Sequence, residues 1–266
     1  MERLVNQDAQ NTNRAIDRAL FLLKIMANNG EVLTVAEICN LLKINRATAQ
    51  AIVNSLSEEN FIEKDIETGK YSLGYNLYNL GSMYRHKYPF LYVAEKHLDQ
   101  MFLKRHVKIN LIVLKHPITA VILLSRDSSL IPKVVFNRIL PAHVSAGGKL
   151  LMAYADPKLI NAELSQITLQ KFTTNSIIDK NKLLQEFIKI RSQGYSLEKE
   201  ELVLTHACVA APIYNISGKV IASVSFSLDK EQFEAKRETL IEDVKLLGGA
   251  ISNELGYTPL NNTLNK

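Results

Sequence analysis

The apolar positions of this chain change period near residue 107, from helical spacing to runs of β-branched residues. In RAIDRALFLLKIMANNG, Ile16, Ala19, Leu20, Leu23 and Met26 fall on one stripe, and Asn28-Asn29-Gly30 predicts the helix end. In TVAEICNLLK, Val35, Ile38, Cys39 and Leu42 share a face. Thr34, with Glu37 three residues on, makes the S/T-x-x-E box that satisfies orphan N–H groups at a helix start. In NRATAQAIVNSLSEEN the inward stripe is Ala49, Ile52, Val53 and Leu56, which turns Ala47, Gln50, Ala51 and Asn54 outward. FIEKDIETGKYSL then reads as a hairpin: Phe61 and Ile62, a turn at Glu67-Thr68-Gly69 with Gly69 at positive φ, then Tyr71 and Leu73. Helix, turn, outward-faced helix and wing predict a winged helix-turn-helix domain over residues 1–75.

Residues 76–107 predict two helical pieces broken near Tyr88-Pro89, forming a linker. Leu77, Leu80 and Tyr84 make an apolar edge on the first piece, suited either to joining two chains or to packing on the second domain. Beyond, NLIVLKH and ITAVILLSRD meet at His116-Pro117, KVVFN follows, and HACVAAPIYN and GKVIASVSFSLD are linked through Asn215-Ile216-Ser217-Gly218. Helical stretches lie between and after them: GGKLLMAYA, DPKLINAEL, DKNKLLQEFIKIRSQG and one long closing helix, EQFEAKRETLIEDVKLLGGAISNELG. An antiparallel sheet with helices on its faces follows, so residues 108–266 are expected to be an α+β sensor-like domain.

Composition agrees with two domains: the chain has 266 residues and is 47% apolar, too long for a lone winged helix. Cys39 and Cys208 are far apart and lie in apolar runs, which reads as reduced thiols in a cytoplasmic protein. They build no metal site, and no dinucleotide or P-loop motif is present, so no cofactor is expected. The start, MERLVNQDAQNTN, lacks the apolar core of a secretory signal, and no run is long enough to span a bilayer.

The outward face of the NRATAQAIVNSLSEEN helix carries the candidate chemistry for double-stranded DNA. Gln50 and Asn54, one turn apart, suit the major groove, because a carboxamide pairs with the N6/N7 edge of adenine. Asn45, Arg46 and Thr48 at its amino end are placed for phosphate oxygens, and Thr68 and Lys70 at the wing tip for the backbone or minor groove. Charge changes the picture. The whole chain is +5, but residues 1–75 hold eight Lys/Arg against ten Asp/Glu. Affinity depends on a local patch, which Arg14, Arg18, Arg46 and Lys70 can make, and two half-sites read by a dimer are expected.

Four blocks, RAIDRALFLLKIM, TVAEICNLLKINRATAQAIVNSLSEENFIEKDIETGKYSLGYNLYNLG, PAHVSAGGKLLMA and GYSLEKEELVLTHACVAAPIYNISGKVIASVSFS, resemble in order and spacing the IclR-type bacterial transcriptional regulators. The likeness covers roughly residues 12–256. It implies an amino-terminal winged helix, a linker helix and a GAF-like effector-binding domain. It also implies a homodimer or dimer of dimers, and repression relieved by a small metabolite of the organic-acid or sugar-acid class. It assigns the effector site to Ser145-Ala146-Gly147-Gly148, Glu198, Cys208, Ser225 and Ser227. That has independent chemical sense: small residues opening a helix cradle a carboxylate, and strand residues two apart share a face.

Two departures stand out. Glu198 occupies a position where the family usually has Asp, which changes the pocket depth. Ala47-Thr48-Ala49-Gln50-Ala51 replaces the common Ser-Thr-x-x-Arg, removing a hydroxyl and a guanidinium and implying a changed operator or weaker binding. Two other classes compete. His206 and Cys208, two apart on a strand, share a face as a base and nucleophile would. Alternatively, the second domain only assembles the regulator.

Overall fold

A computed structural model describes residues 13–30, 32–127 and 139–258. The polar segment 1–12 and the expected KVVFN strand lie outside the described residues. The chain divides between Tyr88 and Pro89 into two compact units, inside the stretch read as linker.

In the first unit, α1 (Arg14–Asn29), α2 (Val35–Leu42) and α3 (Arg46–Glu58) precede a hairpin of β1 (Ile62–Lys64) and β2 (Tyr71–Leu73), and α4 (Asn76–His86) follows. The strands pair antiparallel, and Leu33 bridges Tyr71 from outside the hairpin. Leu22, Met26, Ile38, Ala49, Val53 and Ile62 form the core. The stripe read on α1 is rotated: Leu22 is buried, whereas Ile16 and Leu20 are 56% and 50% exposed. The continuous run Ala19–Leu23 has no polar member to set its phase, so only packing selects the inward face.

Thr34 caps α2 in the expected box, its Oγ1 accepting from the Glu37 N–H (3.3 Å) while Glu37 Oε2 accepts from the Thr34 N–H (2.7 Å). The turn between α2 and α3 places Lys43 at φ 53°, a left-handed conformation disfavoured for a side-chain-bearing residue. Lys43→Gly is therefore expected to raise the stability of the head by about 0.5–1 kcal/mol, net of the extra freedom of the unfolded chain. Urea melts of the two proteins check this.

The second unit begins with α5 (Phe90–Arg105), β3 (Lys108–His116), β4 (Thr119–Arg126) and β5 (Ile139–Pro141). A single 3-10 turn, Ala142–Val144, leads into α6 (Ala146–Tyr154), α7 (Pro157–Gln166) and α8 (Lys180–Gln193). Then come β6 (Ser196–Lys199), β7 (His206–Tyr214), β8 (Val220–Asp229), α9 (Lys230–Ala235) and α10 (Arg237–Glu254). The described strands form one antiparallel sheet in the order β5-β4-β3-β8-β7-β6.

Helices cover both faces. Ala210 of β7 joins the core built with α6, while its neighbour Ala211 meets Gly248 of α10, so adjacent residues point to opposite layers. That double cover is why β7 reads as a nearly continuous apolar run. Arg105 of α5 holds buried Asp243 of α10 with two contacts, Nη2 to Oδ1 at 2.9 Å and Nε to Oδ2 at 2.6 Å. The expected single closing helix is instead two, broken at Lys236, which leaves helical geometry (φ −126°, ψ 18°). The edge strands β5 and β6 have no counterpart in the sequence reading. Both are short, and Pro141 in one and charges in the other mask any alternation.

Candidate DNA-reading face and effector pocket

The amino end of α3 is built by Asn45, whose Oδ1 accepts from the Thr48 N–H at 2.8 Å. Asn45, a phosphate candidate in the sequence, is thus first the helix cap. Arg46, Ala47, Ala51 and Asn54 are exposed, and Thr48 and Gln50 are half-buried. Gln50 Nε2 donates to Asn54 Oδ1 at 2.8 Å, so the two carboxamides brace each other. Gln50 keeps its Oε1 and a second N–H, the pair that matches an adenine edge, and Asn54 keeps its amide donors.

The wing turn closes through Asp65, whose Oδ1 accepts from the Thr68 N–H (2.7 Å) and hydroxyl (2.9 Å), and Gly69 sits at φ 69°. Those bonds hold the Asp65 carboxyl below the usual range. Thr68 is therefore engaged within the turn, while Lys70 is half-buried beside it. On α1, Arg14 is exposed and Arg18 half-buried. Ile66, 97% exposed in the same turn, had no signal in the sequence beyond its place in a polar hairpin.

In the second unit all the sequence-selected effector residues meet in one layer, between α6 and the sheet. Strand register aligns Glu198, Cys208, Ser227 and Lys108 in one row, and Ser196, Ala210, Ser225, Asn110 and Ser125 in the next, all on one face. The first turn of α6 lies over these rows. Ser196 Oγ donates to the Ala146 carbonyl, and Ser223 Oγ donates to that of Gly147 at 3.3 Å. Ser145 caps the helix, its Oγ accepting from the Gly148 N–H at 3.2 Å. The amides of Ala146 and Gly147 precede the first intrahelical bond and have no acceptor within the helix.

The two glycines are needed for packing as well. A Cβ on Gly147 would stand 2.5 Å from Ile112 Cδ1 and 2.7 Å from Ser223 Oγ, and one on Gly148 would stand 2.5 Å from the Ala142 carbonyl oxygen.

Electrostatics of this layer centre on Lys149, only 1% exposed, whose Nζ pairs with Glu201 Oε1. Glu201 Oε2 is buried with no partner among the described residues, and burial pushes this carboxyl up to about 7 against the pull of Lys149. Glu198 is also raised by burial, although its Oε1 accepts from the N–H groups of Glu201 (2.6 Å) and Leu202 (3.3 Å). Burial, then the Glu198 charge, drive the Cys208 thiol far above its ordinary value. His143, whose Nε2 meets the Gln170 carbonyl at 2.9 Å, is lowered by its own burial. A nucleophilic thiol needs the opposite shift, and His206 lies 3.8 Å from Asp229, so the Cys/His arrangement lacks an activated thiolate.

Two family models match the chain: the IclR helix-turn-helix domain over residues 15–65, and the bacterial transcriptional regulator IclR C-terminal domain over residues 83–253. The chain belongs to the IclR family. It is 25% identical over 258 residues to the HTH-type transcriptional repressor AllR of Salmonella typhi, covering 94% of this chain and 93% of that one. With the DNA-binding transcriptional repressor YiaJ of Escherichia coli K12 it shares 26% over 268 residues, covering 97% and 95%. The crystal structure of the Thermotoga maritima IclR superposes with a TM-score of 0.76 at 26% identity, covering 91% of this chain and 98% of that one. An IclR homologue of Microbacterium hydrocarbonoxydans complexed with 4-hydroxybenzoate shares the fold, with a TM-score of 0.70 at 22% identity and coverage of 91% and 98%.

This IclR-family chain is thus a DNA-binding transcriptional regulator with a winged helix and an α+β carboxy-terminal domain. Among its described residues no helix is long and apolar enough to cross a membrane. Several residues of the polar layer had escaped the sequence reading. Ser223 was legible, since it continues the alternation of Ser225 and Ser227. Lys149 follows the double glycine directly, but a lysine in an amphipathic stretch is normally read as solvated. Glu201 is one of three acids in Glu198-Lys199-Glu200-Glu201, and nothing local says which of them face inward.

Proposed function

We propose that this IclR-family regulator represses transcription as a homodimer or dimer of dimers, and that a small organic or sugar acid in the layer under α6 changes its affinity for operator DNA. The observation that carries this is the meeting of Ser145–Gly148, Glu198, Cys208, Ser225 and Ser227 between one helix start and two aligned strand rows. The acid's carboxylate sits at the Ala146 and Gly147 amides, where the helix dipole adds to the free N–H groups. Its hydroxyls meet Glu198 and the serines. The repressor names of AllR and YiaJ support the sign, and 4-hydroxybenzoate in the Microbacterium homologue supports the ligand class. α4 and α5 join the reading head to the sensor along the chain, and Leu80 and Met83, exposed on α4, offer apolar surface to a second copy.

In the reading head, Gln50 and Asn54 meet base edges. Arg14, Arg18, Asn45, Arg46, Ala47, Thr48, Thr68 and Lys70 line the path of the phosphates. Gln50→Ala is expected to reduce discrimination at one operator base pair by about 1–3 kcal/mol. Lys70→Ala is expected to weaken binding to every sequence and to flatten its salt dependence. Anisotropy titrations on the gene's own upstream DNA and on scrambled DNA, at two salt concentrations, separate the two, and equal behaviour would refute the assignment. Repeating the titrations with a panel of organic acids tests sensing: a specific complex that no acid alters would leave repression standing and remove the effector role.

A further inference from the structure

A cavity lies away from the polar layer, bounded by the far end of α6 with α7 and α8. Its volume is about 210 Å³, and Met152, Ile160 and Phe187 form a buried apolar floor. An apolar cavity of about 150 Å³ is enough to take a benzene ring, so one six-membered ring with a short substituent fits here. Pro157, Asn161, Ile188 and Arg191 are exposed around the mouth.

Among the lining residues Arg191 is the one with a charge, and no carboxylate faces it from the wall. Its Nη1 donates to the carbonyl of Ala153 in the last turn of α6 at 2.7 Å. That bond caps the helix and anchors the guanidinium at one nitrogen. The remaining N–H groups make no hydrogen bond to a described residue, so donors held at the mouth by that bond stand over an apolar floor. This pairing selects an anion with an apolar body: the guanidinium fork suits a carboxylate, and the floor suits a ring or branched chain.

We propose that this cavity is a second small-molecule site that takes an aryl or branched-chain monocarboxylate, its apolar part on Met152, Ile160 and Phe187 and its carboxylate at Arg191 and Asn161. The occupant touches α6 at the end opposite Ser145–Gly148. Occupancy therefore bears on the same helix whose first turn forms the polar layer.

Benzoate is the probe, titrated calorimetrically into the full-length protein, with benzyl alcohol as its uncharged counterpart. Saturable benzoate binding is expected, with benzyl alcohol weaker by about tenfold because it lacks the charge-assisted bonds. Arg191→Gln and Ala155→Phe, the latter filling the cavity from its wall, are each expected to weaken benzoate by about tenfold or more. Should Arg191→Gln fail to fold for want of its cap, Ala155→Phe decides alone. The proposal is overturned by an absence of saturable binding, by equal affinity for benzoate and benzyl alcohol, or by undiminished benzoate affinity in Ala155→Phe. That last result would place the acid elsewhere, for example in the polar layer.

Discussion

Lys149→Met is expected to destabilise the carboxy-terminal unit by about 3–5 kcal/mol near pH 8, because it strips a buried carboxylate of its counterion. Lys149 Nζ pairs with Glu201 Oε1, and Glu201 Oε2 has no described partner to take up the charge. The loss should shrink as pH falls. Glu201 is pushed from its ordinary value of 4.5 up to about 7, so near pH 5 it is protonated and the lysine has little ionic attraction to lose. The wild-type protein carries the same signature. Between pH 4.5 and about 7 the native state keeps a proton that the unfolded chain has released, so stability declines as pH rises through that window. Glu201→Gln should flatten this slope. The double variant Lys149→Met, Glu201→Leu should recover most of the stability at pH 8, since a matched apolar pair replaces a costly buried ion pair. Urea unfolding of the full-length proteins at the two pH values measures all of this. A loss below about 1 kcal/mol in Lys149→Met at both pH values would mean the pair is not ionised.

Gly148→Ala is expected to cost about 1–3 kcal/mol and to displace the first turn of α6. Its new Cβ would stand 2.5 Å from both Cα and the carbonyl oxygen of Ala142, atoms of the main chain that cannot rotate aside. Ala142 belongs to the 3-10 turn that delivers the chain to Ser145, so relief requires moving helix or turn. Gly147→Ala meets the side chains of Ile112 and Ser223 instead, and side chains can yield. The substitution at 147 is therefore expected to be the milder of the two. Thermal melts rank the pair. If ligand response is lost more readily than stability at either position, the same turn is confirmed as the effector cradle. A ranking with Gly147→Ala as the costlier change would contradict the backbone contact as the cause.

The two replacements differ in how visible they were beforehand. Double glycine before an apolar helix is a local signal, and local signals served well throughout this chain. Thr34 with Glu37 acts through bonds between a side chain and a nearby amide, and Gly69 in the wing through the positive φ that its missing Cβ allows, each within a few residues. Period alone distinguished the helical head from the sheet-bearing sensor, because a helix face repeats at 3.6 residues and a strand face at 2. The break of the closing helix at Lys236 was invisible for the converse reason: no proline or glycine marks it, and α9 and α10 part where packing, rather than propensity, changes.

Local chemistry therefore determined most of the segments that are helix or strand, where most helices begin, and which face of α3 is turned outward. Tertiary structure decided the phase of α1, where an unbroken apolar run leaves several faces equally suitable until something packs on one. It decided the edge strands, whose hydrogen bonds come from neighbours distant in sequence. It decided above all that Lys149, an apparently solvated lysine, is buried against Glu201 fifty-two positions later. A charge is buried or exposed according to what surrounds it in space, and no spacing rule within one helix reports the arrival of a partner from the loop after β6.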